Sequence, residues 1–344
     1  MKTSEVMQAW GSILSGRSPS LSIELTRECP LRCPGCYAYE DKHLGLPGIT
    51  LRQLADYKGR ALMQGVLSLI EEHRPLHVSF VGGDPLVRFR ELEELLPDIN
   101  RRGIHSQVVT SAFRIIPEQW NNLSLLNVVV SVDGLQPEHD VRRKPATYDR
   151  ILKNIAGCKV TIHCTVTGQM MQRPSYVEEF VRFWSARKET KRIWFSLFTP
   201  QLGPVSPEIL TSDQRWRFIE ELLPLLDAYP LIDMKKGLID QFHNPPASPR
   251  DCIFARTTVT VSADLKTRIT PCQFGGAPDC SQCGCVASMA LSAVGHHRVI
   301  PGVAAGQLFT ISELIGRAVN KFRSLRDTGK PDGSPETVND AEAA

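Results

Sequence analysis

From residue 20 to about 228, short apolar runs alternate with stretches whose apolar residues recur every three or four positions. The runs at 21–25, 77–81, 107–110, 126–132, 159–167 and 192–198 read as strands. The fourth is apolar on both faces, as a parallel strand covered by helices must be. Between the runs, helical periodicity appears at 91–99, 147–156, 176–185 and 212–228. Thr50 reads as the cap of a further helix carrying Leu51, Leu54, Tyr57, Leu62, Val66 and Ile70 on one face. Before the first strand, Val6, Trp10, Ile13 and Leu14 mark a short amphipathic helix.

Six strand–helix units in series imply a parallel α/β sheet with right-handed crossovers, too short to close into an eightfold barrel. An open, partial barrel is the expectation, with its chemistry at the C-terminal ends of the strands. The pattern divides the chain into an N-terminal helix (1–19), the barrel (20–228), an irregular cysteine-bearing region (229–309), a helix (310–326) and a polar, acidic tail (327–344) expected to be disordered. In the irregular region, Val259–Val261 and Arg268-Ile269 flank a hairpin turn at 263–266. In the last helix Thr310 and Glu313 form a capping-box pattern. Ile311, Leu314, Ile315, Val319 and Phe322 make an apolar face expected to pack on the barrel, a membrane-surface helix being the alternative.

Composition narrows the chemistry. The chain has 344 residues, 42% of them hydrophobic, enough for a substantial core. A net charge of +3 gives no basis for a nucleic-acid partner. Basic clusters at Arg142-Arg143-Lys144 and at 188–192 read as solvated faces. No secretory segment and no 18-residue apolar run are visible, so the expectation is a cytoplasmic protein without a membrane span. In that setting ten cysteines point to metal ligands or catalytic groups rather than to disulfides. Cys158 and Cys164 fall in or beside an apolar strand and read as ordinary buried thiols.

The other eight form two groups. Cys29, Cys33 and Cys36 stand in a C-x3-C-x2-C loop after the first strand, with Pro30, Pro34 and Gly35 tightening it. Three thiolates can hold three irons of a four-iron cluster and leave the fourth open to a substrate. A zinc site completed by His43 is the alternative. The second group is Cys252, Cys272, Cys280, Cys283 and Cys285. Four thiolates there suit an auxiliary cluster or zinc; Cys252, Cys272, Cys280 and Cys283 are the favoured four, with Cys285 as the spare.

The first cysteine spacing, placed after strand one of a partial barrel, resembles the radical S-adenosylmethionine (SAM) superfamily. That resemblance implies a TIM-like (β/α)6 barrel and a 4Fe–4S cluster whose open iron chelates SAM. Reductive cleavage of SAM then yields a 5′-deoxyadenosyl radical that takes hydrogen from substrate. Gly82-Gly83-Asp84-Pro85 after strand two resembles the family's GGEP segment, implied to bind the SAM amino group through backbone atoms. Thr110-Ser111 ends strand three, and Ser131-Val132-Asp133-Gly134 ends strand four. By resemblance Ser111 and Ser131 are SAM contacts, Ser131 to its carboxylate or ribose, and Asp133 shapes the turn. Where the family often has an aromatic residue before the third cysteine, Gly35 stands here and Tyr37 follows; Tyr37 is the candidate for packing on adenine. Ser131 to Asp149 and the Thr270-Pro271-Cys272 segment resemble the subgroup with a SPASM or twitch extension, implying one auxiliary 4Fe–4S cluster.

The resemblance further implies SAM and a reductant such as flavodoxin or ferredoxin as partners. The substrate is not named by these residues. The short segment before strand one favours a small metabolite or lipid over a leader-bearing peptide, and the helix at 310–325 allows peripheral membrane contact. The reaction class expected is oxidation or C–C/C–X bond formation. A peptide-modifying maturase is the alternative among enzymes; a metal-stabilised binding or electron-carrier protein is the alternative outside them.

Overall fold

The computed structural model describes residues 3–45, 48–145 and 147–327. After helix α1 (Thr3–Leu14), strands β1 (Ser20–Thr26), β2 (His77–Gly82), β3 (His105–Thr110), β4 (Leu126–Ser131), β5 (Val160–Val166) and β6 (Thr190–Leu197) follow the expected order. They are linked by α2 (Gly59–His73), α3 (Phe89–Arg101), α4 (Glu138–Arg142), α5 (Tyr148–Asn154) and α6 (Tyr176–Ser185). Then come α7 (Ser212–Leu222), α8 (Leu225–Ala228), α9 (Lys236–Ile239), α10 (Ile253–Thr257), β7 (Thr258–Val261) and α11 (Val286–His296). A small ribbon of β8 (Arg298–Ile300) and β9 (Val303–Ala304) leads to α12 (Ala305–Asp327).

The main sheet runs β6-β5-β4-β3-β2-β1-β7, and every neighbouring pair is parallel. Its two edges do not meet, so the barrel is open. Leu21, Ile23 and Leu25 alternate along β1 into the helix-covered core, with Leu62, Val66, Phe80, Leu92 and Leu96 among their buried companions. Ser22, Glu24 and Thr26 occupy the opposite face and are buried too, which puts polar groups inside the barrel.

Four local expectations are corrected. Thr50 caps only a single 3-10 turn, Leu51–Gln53, through a box with Gln53; the helix starts at Gly59. The intervening loop is tied to the site instead. Arg27 Nη1 donates to the Arg52 and Leu54 carbonyls, and Arg88 Nε to that of Tyr57. The helix expected over 212–228 ends at Leu222 and resumes after Pro224, whose ring lacks an N–H and clashes with the preceding turn. The hairpin at 259–269 forms, but its first arm is β7, which lies parallel to β1 as a seventh strand.

The fourth correction concerns α12. It begins at Ala305, so Thr310 and Glu313 lie inside it, and Glu313 pairs with Arg256 and Arg317. Its packed side carries Ser312 and Gly316, while Ile311, Leu314 and Ile315 are 54%, 61% and 47% exposed. Close backbone contact selects this side: a Cβ at Gly316 would stand 2.1 Å from the Ile13 carbonyl oxygen. Of the tail expected at 327–344, only Asp327 lies within the described residues. No described helix is long and apolar enough to cross a membrane.

Candidate active site

The cysteine loop leaves the C-terminal end of β1 and is held by its neighbours' backbones. Gly83 N–H donates to the Thr26 carbonyl at 2.8 Å, Asp84 N–H to that of Glu28 at 2.9 Å, and Arg32 N–H to that of Lys144 at 2.6 Å. The approach at Gly83 admits no side chain, since a Cβ there would lie 2.1 Å from the Glu28 carbonyl oxygen. Gly83, just after β2, therefore serves the loop before it serves any ligand. With the Gly83 and Asp84 amides engaged, this turn has carbonyl oxygen left to offer, a polarity suited to an ammonium group.

Asp84 is buried and ties β2 to β3. Its carboxylate accepts from Leu86 N–H, Thr110 Oγ1, Ser111 N–H and Ser111 Oγ at 2.6–3.0 Å. Burial pushes this carboxyl up, and the four hydrogen bonds pull the other way. Ser111 has thus committed its hydroxyl hydrogen to Asp84 and keeps an acceptor lone pair. Ser131 closes β4 in register with His163 on β5. His163 Nε2 lies 2.8 Å from Ser196 Oγ, and burial drives this imidazole down to about 4, so it is neutral near pH 7.

A charged group missed by sequence reasoning sits over these strand ends. Arg142 and Arg143 are not a solvated cluster. Both pair with buried Asp133, Arg143 Nε at 2.7 Å, and Arg142 Nε also reaches Glu208 Oε1 at 2.6 Å. Asp133 further accepts from Thr165 N–H at 3.0 Å. Burial opposes its charge, yet the two guanidinium groups hold Asp133 well below the usual carboxylate range. The thiols of Cys33 and Cys36 lie within the field of Arg143. No local spacing announces this network, because Asp133 and Glu208 meet only through the fold.

Burial pushes the Cys29 thiol up to about 12 and raises Cys36 as well. Such thiols ionise when a cationic centre binds them. Three converging soft donors, with guanidinium groups nearby to offset charge, fit an iron–sulfur cluster. His43 is not free to complete a zinc site: Nδ1 lies 2.9 Å from the Phe274 carbonyl and Nε2 2.7 Å from Glu24 Oε1.

All five C-terminal cysteines line one cavity, together with Pro246, Pro249, Phe254 and Phe274. Cys285, the spare of the expected set, is buried there beside the N-terminus of α11. Burial raises Cys272 to about 12 and Cys280 to about 11. Among the described residues no three His, Cys, Asp or Glu are grouped to hold one metal ion. A cubane asks for something different, one thiolate per iron, and five thiols around one cavity match that donor chemistry. Cys158 and Cys164 are both buried apart from these groups, in the core. Tyr37 is enclosed between His43 and Phe274, at ring-centre distances of 5.6 and 5.2 Å.

Residues 23–184 match the model of the radical SAM superfamily. An uncharacterized protein of Methanocaldococcus jannaschii is 28% identical over 227 residues, 61% of this chain and 72% of that protein. The PqqA peptide cyclase of Bradyrhizobium diazoefficiens, of the SPASM subgroup, is 29% identical over 121 residues. That match spans 33% of this chain and only 28% of the cyclase's own length. Among solved structures, anSMEcpe with bound AdoMet aligns over 74% of each chain with a TM-score of 0.53 at 18% identity, a likeness of fold. Residues 23–184 thus carry a radical SAM domain, followed by a cysteine-rich region consistent with a SPASM/twitch-like extension, and the cofactors of such a domain are a 4Fe–4S cluster and S-adenosylmethionine.

Proposed function

We propose that Cys29, Cys33 and Cys36 hold the SAM-binding cluster, and that Gly82, Gly83, Asp84, Pro85, Ser111 and Ser131 form the cradle for SAM. The observation that carries this is convergence: the cysteine loop, the glycine turn, Ser111 and Ser131 stand at the C-terminal ends of the adjoining strands β1 to β4. When bound, the cluster supplies the electron that cleaves SAM and so generates the hydrogen-abstracting radical. The chain's own residues position and enclose. Asp84 fixes the ends of β2 and β3, and Asp133 sets the arginines beside the cysteine loop. Neutral His163 adds an uncharged polar group within the barrel, held 2.8 Å from Ser196 Oγ.

Cys252, Cys272, Cys280 and Cys283, with Cys285 as a further candidate, are proposed to hold one auxiliary cluster. That arrangement suits oxidation or C–C/C–X bond formation on a small metabolite or lipid. The exposed ridge of Ile311, Leu314 and Ile315 supports the lipid side of this reading and a peripheral membrane contact. The partial match to PqqA peptide cyclase supports a second reading, a peptide substrate. Ten cysteines without a disulfide support a reducing, cytoplasmic setting, where flavodoxin or ferredoxin serves as reductant.

The test is anaerobic reconstitution followed by reduction. The protein is expected to release 5′-deoxyadenosine from SAM; no release, alone or with lipid, metabolite or peptide candidates, overturns the reading. Which substrate class raises the release above background decides between the two readings.

A further inference from the structure

Between the two cysteine regions lies a buried polar strut. Glu24, on the interior face of β1, is 1% exposed and receives His43 Nε2 on Oε1 at 2.7 Å. Its other oxygen accepts from Ser262 Oγ, just after β7, at 2.5 Å. His43, also 1% exposed, donates from Nδ1 to the Phe274 carbonyl at 2.9 Å. With both ring nitrogens facing oxygen acceptors, the pair reads as imidazolium and carboxylate, satisfied on both sides. A buried pair of this kind contributes little net stability over an apolar replacement, so its use lies in the partners it fixes in place.

One such partner is Phe274, which lies two residues after Cys272 and lines the five-cysteine cavity. Its ring meets Tyr37, the neighbour of Cys36, edge-on at 5.2 Å. One aromatic contact thus spans the space between the two cysteine regions. The backbones close up behind it: Gly275, at φ +62°, approaches the His43 carbonyl so tightly that a Cβ would lie 1.8 Å away. Gln201 Oε1 accepts from Ala277 N–H at 2.8 Å on the far side of the same segment.

We propose that Glu24 and His43 are positioning residues that set the spacing and electronic coupling between the two cluster sites, with the Tyr37–Phe274 contact as the coupling element. This rests on the auxiliary-cluster reading, and the experiment separates the two. Iron is first counted in a Cys29/Cys33/Cys36→Ala triple variant. Zero residual iron removes the auxiliary cluster, and this inference with it.

With residual iron present, the reduced holoenzyme is examined by electron paramagnetic resonance for spin coupling and relaxation enhancement between the clusters. His43→Asn keeps an amide N–H near the Nδ1 position, and so the Phe274 contact, but loses Glu24; it is expected to retain most of the coupling, with the remaining decrease measuring the share of Glu24. His43→Gln keeps the contact to Glu24 but loses that to Phe274, and is expected to lose the coupling at unchanged iron content. A merely structural histidine would not separate these two variants. Coupling retained in His43→Gln overturns the proposal. Should that variant fail to load iron, Phe274→Leu carries the test, because the carbonyl bond to His43 stays: coupling must fall, and unchanged coupling overturns the proposal.

Discussion

The two cysteine regions use the same side chain in opposite surroundings. The first lies on a loop hung from a regular parallel sheet, beside the Arg142–Asp133–Arg143 group and within the field of Arg143. The second is gathered from irregular chain around an apolar cavity with Pro246, Pro249, Phe254 and Phe274 in its wall. Nearby positive charge favours the reduced, more negative state of a cluster; the second region has one cation of its own, Arg215, which donates to the Cys283 and Gln282 carbonyls at 3.1 and 2.6 Å. The contrast suits a first site set among charged groups and open to a polar ligand, and a second walled largely by apolar side chains. It also shows that cysteine count alone does not define such a site; the neighbours distinguish the two.

The largest expected effect tests that division directly. Cys33→Ala should abolish release of 5′-deoxyadenosine while iron at the second site remains, as read by product chromatography and iron analysis. If it removed all iron, the two regions would be one folding unit. Next comes Asp84→Ala, which leaves the buried Thr110 and Ser111 donors without their acceptor. It should lower the stability of the apoprotein by about 2–4 kcal/mol, measured by urea unfolding, because hydrogen bonds to a charged group are involved. It should also weaken SAM binding, as read by equilibrium dialysis. Gly83→Ala should cost about 1–3 kcal/mol through the collision with the Glu28 carbonyl. Iron loading should fall at the first site and not the second.

The pH response sharpens the contrast further, because the histidines that burial shifts most lie in the barrel. His77, His139 and His163 are each driven down to about 4 by burial. The unfolded chain therefore binds these protons more readily than the folded one. Apoprotein stability should fall as pH drops from about 6.5 toward 4, with His163→Gln reducing the slope in urea titrations. Asp133 is shifted down as well, but by the Arg142 and Arg143 guanidinium groups, against the effect of burial. Its pairing contributes above the unfolded carboxyl value of about 3.9 and is lost as pH falls through the lower folded value. The smallest effect is expected at the far end of the chain. Leu314→Gln on the exposed ridge should change stability by no more than about 0.5 kcal/mol, read as a nearly unchanged midpoint in the same titrations. A larger loss would mean that the ridge is covered.

Much of the barrel was legible because a buried parallel strand and an amphipathic helix each carry their own period. The six central strands, the cysteine loop and the turns after β2 and β4 could all be placed from local pattern. Where partners are distant, the pattern misled. The apolar positions at 51, 54 and 57 look helical, yet Arg27 and Arg88 pin that stretch as a loop. Ile311, Leu314 and Ile315, read as part of the packed face of α12, are exposed, because Gly316 permits an approach that larger side chains would prevent. Arg142 and Arg143 look like surface charge until the fold brings them to Asp133, just after β4, and to Glu208, in the loop before α7.

By itself the sequence determined the alternating architecture, the C-x3-C-x2-C loop after β1 and the supply of thiols near the C-terminus. These are local properties, set by periodicity and spacing. Only the tertiary structure decided that β7 joins the sheet beside β1, that five cysteines share one cavity and that Glu24, His43 and Phe274 bridge the two regions. The physical reason is distance along the chain. A buried charge or carbonyl must find a partner wherever the fold supplies one, and Phe274 lies 231 residues beyond His43.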